Sequence, residues 1–271
     1  MSSLIHQGRA TYAFFERNWN LTKRYWAWEI VWLVYSIVNA MSVTYIGKAT
    51  SLLPGVTSSQ INTLILYLLI GTSVWTYLSV TFDGVTDIIN MERWEGTIEY
   101  TFMAPISRFT HMVGSCMYAV VHGMLFTFIQ LIVVGVFFNL DLSHANYFTA
   151  VFMLLLGSVS FIGFGIATAV LPLLYTEKGM QMSFIVRSII LLVSGVYYPI
   201  SVLPVWMQAI ARISPATYVL NGLRSAIVDG KPIWSPEIWS STWPLLITGV
   251  VSVPLGIYIF GIAEKYAKRT G

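Results

Sequence analysis

Long apolar runs separated by short polar stretches dominate the chain, at 27–46, 61–82, 111–138, 147–171, 182–198 and 243–262. Their lengths suit helices that cross a hydrocarbon core of ~30 Å, which needs about 17–25 apolar residues. The run at 111–138 is long enough to tilt. Pro172 and Pro199 end two of the runs and Pro254 lies inside the last, where a membrane helix tolerates it. Ahead of the first run, Tyr12, Phe15, Trp19 and Trp26 recur at helical spacing, with Glu16, Arg17, Asn20 and Arg24 elsewhere on the wheel. The pattern predicts an amphipathic helix over 12–26, within the cytoplasmic or interfacial segment 1–26, either lying in the headgroup layer or packing on other protein. Phe15, Trp19 and Arg24 are its candidate anchors. No internal repeat or low-complexity linker divides the chain, so 1–271 reads as one all-α, polytopic membrane domain of six transmembrane helices.

Composition agrees with that reading. The 271 residues are 56% hydrophobic and 10% charged, where soluble domains are about a quarter charged. Mean hydropathy is +0.71, so the bilayer is the solvent. Charge placement then sets orientation. With the N-terminus inside, eleven basic residues fall on the inner side (Arg9, Arg17, Lys23, Arg24, Arg93, Arg108, Lys178, Arg187, Lys265, Lys268, Arg269) and four outside (Lys48, Arg212, Arg224, Lys231). The positive-inside rule therefore places both termini in the cytoplasm. The polar, basic segment 1–24 lacks the apolar core of a signal peptide.

Several chemistries lose support. No lysine- or arginine-rich run suggests nucleic acid. The four histidines are scattered without metal-ligand spacing, and the single Cys116 excludes an intrachain disulfide. Gly47-Lys48 is followed by Ala49 and Gly230-Lys231 by Pro232, so neither forms the Gly-Lys-Ser/Thr end of a phosphate loop. The chain reads as a non-enzyme without a metal or cofactor of its own.

Two segments outside the runs carry more specific information. In 84–108, Trp94, Ile98 and Phe102 fall four apart and share a helical face, with Glu92, Glu95 and Glu99 on a neighbouring one. Pro105 stops the helix. The expected product is a short amphipathic helix, either docking in a partner's groove or simply returning the chain. In 199–228, Pro199, Pro204 and Pro215 punctuate an apolar stretch. Helices begun at Pro204 and Pro215 would reach roughly 14 and 21 Å, too short to cross, so they would enter and leave from one side as an external re-entrant hairpin. Arg212 and Arg224 would then either snorkel to headgroups or act in gating and holding an anionic group. Within the fourth run, the pairs Gly163/Ala167 and Gly165/Ala169 suit close helix approach, between subunits or within one bundle.

In order and wording these segments resemble the membrane subunits of bacterial ABC exporters, which move drugs, lipids and lipid-linked polysaccharides. The first match is Glu92-Arg93-Trp94-Glu95-Gly96-Thr97, followed by Ala104-Pro105-Ile106-Ser107. The second, more specific, is Tyr198-Pro199-Ile200-Ser201-Val202-Leu203-Pro204, then Ser214-Pro215-Ala216-Thr217-Tyr218 and Gly222-Leu223-Arg224. The resemblance implies a permease in the bacterial cytoplasmic membrane, paired with a second copy or homologue. Each permease would dock a separate ATPase, which holds ATP and magnesium, through the helix from Glu92 to Phe102. The N-terminal helix would lie against membrane lipids, and the hairpin would cap the outer end of the pathway. An amphipathic drug or lipid is the expected cargo, with lipid-linked polysaccharide as the alternative. A secondary transporter or ion channel is the rival of a different class. It would need ionisable groups deep in the membrane. The runs hold few: Glu29 and Asp83 lie near the predicted inner surface, and Gln130 is uncharged.

Overall fold

The computed structural model describes residues 2–52, 54–103, 106–175 and 177–270. Among them the order is α1 (Ser2–Arg24), α2 (Trp26–Ala49), α3 (Ser58–Trp94), α4 (Ile98–Met103), α5 (Arg108–Phe137), α6 (Tyr147–Thr168), α7 (Val170–Leu174), α8 (Gly179–Val193), α9 (Val205–Ala211), α10 (Pro215–Ile227) and α11 (Pro236–Thr270). Local chemistry sets several starts. Thr57 and Gln60 form a reciprocal capping box on α3. Ser107 accepts from the Thr110 amide at 3.0 Å to open α5, and Asn146 accepts from the Thr149 amide at 3.1 Å to open α6.

Among the described residues, five stretches are long and apolar enough to cross a membrane: Trp26–Leu52, Ser58–Gly84, Thr110–Phe137, Tyr147–Leu174 and Pro236–Arg269. The expected span at 182–198 takes another form. Its helix, α8, has 15 residues and a length of about 22 Å. Gly195, at φ +70°, turns the chain straight after it, a conformation that glycine adopts without strain.

Two expected boundaries move. The N-terminal helix spans 2–24 rather than 12–26, and Trp26 begins α2. The second crossing helix does not stop near Phe82. It continues as α3 through Asp83 and Gly84 to Trp94, so part of the expected 84–108 loop is an extension of the crossing helix.

The helix α3 lies at the centre, and its Tyr77, Leu78 and Phe82 are fully buried. Around it α6, α10 and α11 form the tightest part of the bundle. Gly163 of α6 lies directly against Ser252 of α11, and a Cβ on Gly256 would meet the Gly163 carbonyl at 2.5 Å. Gly165, two residues on, backs onto the Phe82 carbonyl of α3. The small-residue pairs of the fourth run thus serve packing inside one chain. The helices α2 and α5 are peripheral and expose apolar faces, including Val31, Val34 and Val38 on α2 and Val121, Leu125 and Phe128 on α5.

Candidate functional site

At the end of the bundle that carries α1, the chain leaves α3 at Trp94, turns at Gly96 (φ +68°) and enters α4. The turn is held by the Thr97 amide, which donates to the Glu92 carbonyl at 2.8 Å. The expected continuous helix from Glu92 to Phe102 is therefore two helices, and its residues part company. Trp94 is 83% exposed, whereas Ile98 is buried against Ile89, Met112 and Cys116. Glu95 and Glu99 are exposed and Arg93 is half-buried. Tyr100 and Met103, which spacing did not single out, are exposed beside them. The side chain of Phe102 and all of Pro105 lie outside the described residues. The turn from α3 to α4 thus exposes Trp94, Tyr100 and Met103 together with Glu95 and Glu99.

Glu92 faces the other way. Its side chain is 6% exposed, with a carboxylate oxygen 3.2 Å from His111 Nε2 on α5 and 3.6 Å from an Arg17 guanidinium nitrogen on α1. Phe14 covers the histidine ring at a centroid distance of 4.8 Å. Glu92 thereby ties three helices together, which only a buried, paired carboxylate can do at tolerable cost. The aromatic stripe of α1 divides in the same way. Phe15 stacks on Trp19 at 6.2 Å and meets Tyr118 of α5 edge-on, while Tyr12 stays exposed. Arg24 lies over the Tyr25 ring at 5.8 Å. One side of α1 is accordingly a protein contact.

Toward the opposite end, the chain after α8 runs through a short 3-10 turn at Ile200–Val202 into α9 and α10. Pro199 and Pro204 are the residues before the turn and before α9, and Pro215 opens α10, where its missing N–H costs nothing. Arg224 of α10 is half-buried. It donates to the Gly195 and Val196 carbonyls at 3.1 and 2.8 Å and lies 3.5 Å from the centroid of the Tyr67 ring. It clasps the turn after α8 onto α3, with Gly71 leaving the room. Arg212 is exposed, and its carbonyl accepts from the Tyr218 hydroxyl at 2.5 Å. The Tyr198 hydroxyl donates to the Leu192 carbonyl at 2.6 Å. The two arginines thus have different surroundings. Along Arg224 runs an open groove of about 330 Å³ lined by Thr63, Tyr67, Asn221, Ser225 and Asp229.

The two acids noted in the apolar runs, Glu29 and Asp83, each find a partner on another helix. Two ionisable pairs sit among the apolar helices: Glu29 of α2 with His122 of α5 at 2.9 Å, and Asp83 of α3 with Arg187 of α8. Each acid was visible in the sequence. Its partner lies some ninety or a hundred residues away, so no local spacing could join them.

The profile of one family, described as ABC-2 type transporter, matches residues 9–228. No curated protein matches the chain.

Proposed function

The chain belongs to the ABC-2 type transporter family and is a multi-pass membrane permease, and from that premise we propose that it exports an amphipathic, drug- or lipid-like molecule using a separate ATPase. The observation that carries the proposal is the exposure of Trp94, Tyr100 and Met103, together with Glu95 and Glu99, around the turn from α3 to α4. Exposed apolar side chains among acidic ones suit a groove on a soluble partner. In this reading the α1 end is cytoplasmic, both termini face the cytoplasm and the membrane is the inner one. Two permeases pair, each with one ATPase binding ATP and magnesium. Glu92 acts inside the permease, relaying displacement of the docking surface to α1 and α5.

The finer topology belongs to the same proposal. The helix α8 rises from the cytoplasmic side, and α9 and α10 form a re-entrant hairpin that completes a sixth crossing. Supporting this, α10 runs antiparallel to α6, with Gly157 facing Val219 and the Asn146 amide bonded to the Ala226 carbonyl at 2.8 Å. The turn after α8 also packs well inside α3, at Gly71.

Affinity purification of the tagged permease from its native membranes, with ATPase activity assayed, tests the reading. A stoichiometric ATPase is expected, and Trp94→Ala or Glu95→Lys should uncouple its hydrolysis from transport while the permease stays in the membrane. Unchanged coupling in both variants removes the docking assignment. An ion-coupled carrier would instead draw on the Glu29–His122 and Asp83–Arg187 pairs, and transport independent of ATP would favour it.

A further inference from the structure

The seam of α5 with α1 and α2 is joined by polar side chains. The Thr22 hydroxyl meets the Tyr118 hydroxyl, Glu29 meets His122 at 2.9 Å, and Ser36 donates to Gln130, which donates on to Ser73 at 2.9 Å. The residues recur every seven along the chain at 22, 29 and 36, and at 118, 122 and 130 along one face of α5. Such a ladder is costly against hydrocarbon unless each rung is satisfied. Its middle rung is charged and remains reachable, with side chains 26% exposed for Glu29 and 16% for His122. Aromatic rings bracket its histidine. Tyr118 stacks on His122 at 5.3 Å and Phe126 lies on the other side at 4.4 Å. Beside it on α5, Val121 and Leu125 are exposed and apolar. The basic residues closest in sequence are drawn elsewhere, Lys23 over Trp19 and Arg24 over Tyr25.

We propose that this seam is an entry site for amphipathic cations, with Glu29 holding the cationic head beside the stacked rings of Tyr118, His122 and Phe126 and the apolar body lying along Val121 and Leu125. The proposal rests on the exporter reading and narrows its cargo. A reachable carboxylate at the edge of an aromatic stack attracts a weakly hydrated cation by charge, with the ring quadrupoles adding to it, and repels an anion of equal shape. His122 holds Glu29 in place while the site is empty and yields it to the incoming cation.

Tetraphenylphosphonium and tetraphenylborate share shape and differ in the sign of charge, so they isolate this term. Equilibrium binding is measured on the full chain in nanodiscs of uncharged lipid, without nucleotide or ATPase, against empty discs. Saturable binding of the cation about 10-fold tighter than the anion is expected, equivalent to ~1.4 kcal/mol. Glu29→Gln should erase that preference. His122→Phe, which keeps the carboxylate and frees it from its partner, should tighten cation binding. Absence of preference in the unaltered protein, its persistence in Glu29→Gln, or weakened cation binding in both variants would overturn the proposal, the last by marking the pair as a structural clip. Because the assay contains no ATP, it is independent of the exporter reading. ATP-driven efflux of tetraphenylphosphonium from the assembled complex tests that reading separately.

Discussion

Glu92 illustrates how a single residue changes meaning between sequence and structure. Spacing put it with Glu95 and Glu99 on an acidic helical edge, yet its carboxylate is buried between His111 and Arg17. Partners 19 and 75 residues away leave no periodic trace. The distinction is measurable. Glu92→Gln should destabilise the detergent-solubilised protein by about 1–3 kcal/mol, read as a lower melting temperature, because the buried His111 and the Arg17 guanidinium then face a neutral amide. Trp94→Ala, at an 83% exposed position, should leave it unchanged. Equal melting of both variants would place Glu92 on the surface after all. Arg224 makes the same point from the other side. Its position in a motif suggested either snorkelling or gating, and the structure gives it a third role, clasping two carbonyls while stacked on a tyrosine.

At the scale of elements, apolar run length was the most legible signal, because a lipid-crossing helix must satisfy its backbone internally and cover it with apolar side chains. It located α2, α5 and α6 closely. It failed where a helix outruns its apolar part. Asp83, Asp87 and Asn90 read as loop, yet α3 passes through them because their backbone bonds remain helical on both sides. It failed again at α4, where Gly96 breaks a stretch whose side-chain pattern is perfectly helical. The glycines inside the spans carry information that run length cannot. Gly163 lies against the backbone of α11, whereas Gly261 of α11 has nothing within 4 Å of the place a Cβ would occupy. Gly163→Val should therefore destabilise the bundle by at least the 1–3 kcal/mol typical of overpacking, and Gly261→Ala should be tolerated. Thermal unfolding of the two variants provides the comparison. If Gly163→Val melts like the unaltered protein, α6 and α11 are not in the close contact described.

For the whole molecule, the distribution of basic residues and the course of the helices lead to a single expectation. A cysteine introduced after Lys231, between α10 and α11, should react with an impermeant thiol reagent applied to intact cells, and one after Gly271 should not. The reverse pattern would overturn the orientation. Cys116 is buried, which keeps the background of such labelling low. The pairing of Asp83 with Arg187 bears, finally, on how the chain is made. An arginine in the middle of the 15-residue α8 opposes its entry into lipid by about 2.5–3.5 kcal/mol, more than so short a helix can readily overcome alone. Asp83, on a helix synthesised a hundred residues earlier, is already in place to receive it. If α8 enters the bilayer, as the proposed sixth crossing requires, α3 is then its receptor during synthesis. Asp83→Ala should yield chains in which α8 is left outside the bilayer, detectable as a new protease-sensitive site near Arg187 in freshly synthesised membranes. The half-life of newly made permease would then be set by a single ion pair that closes before the last span has been translated.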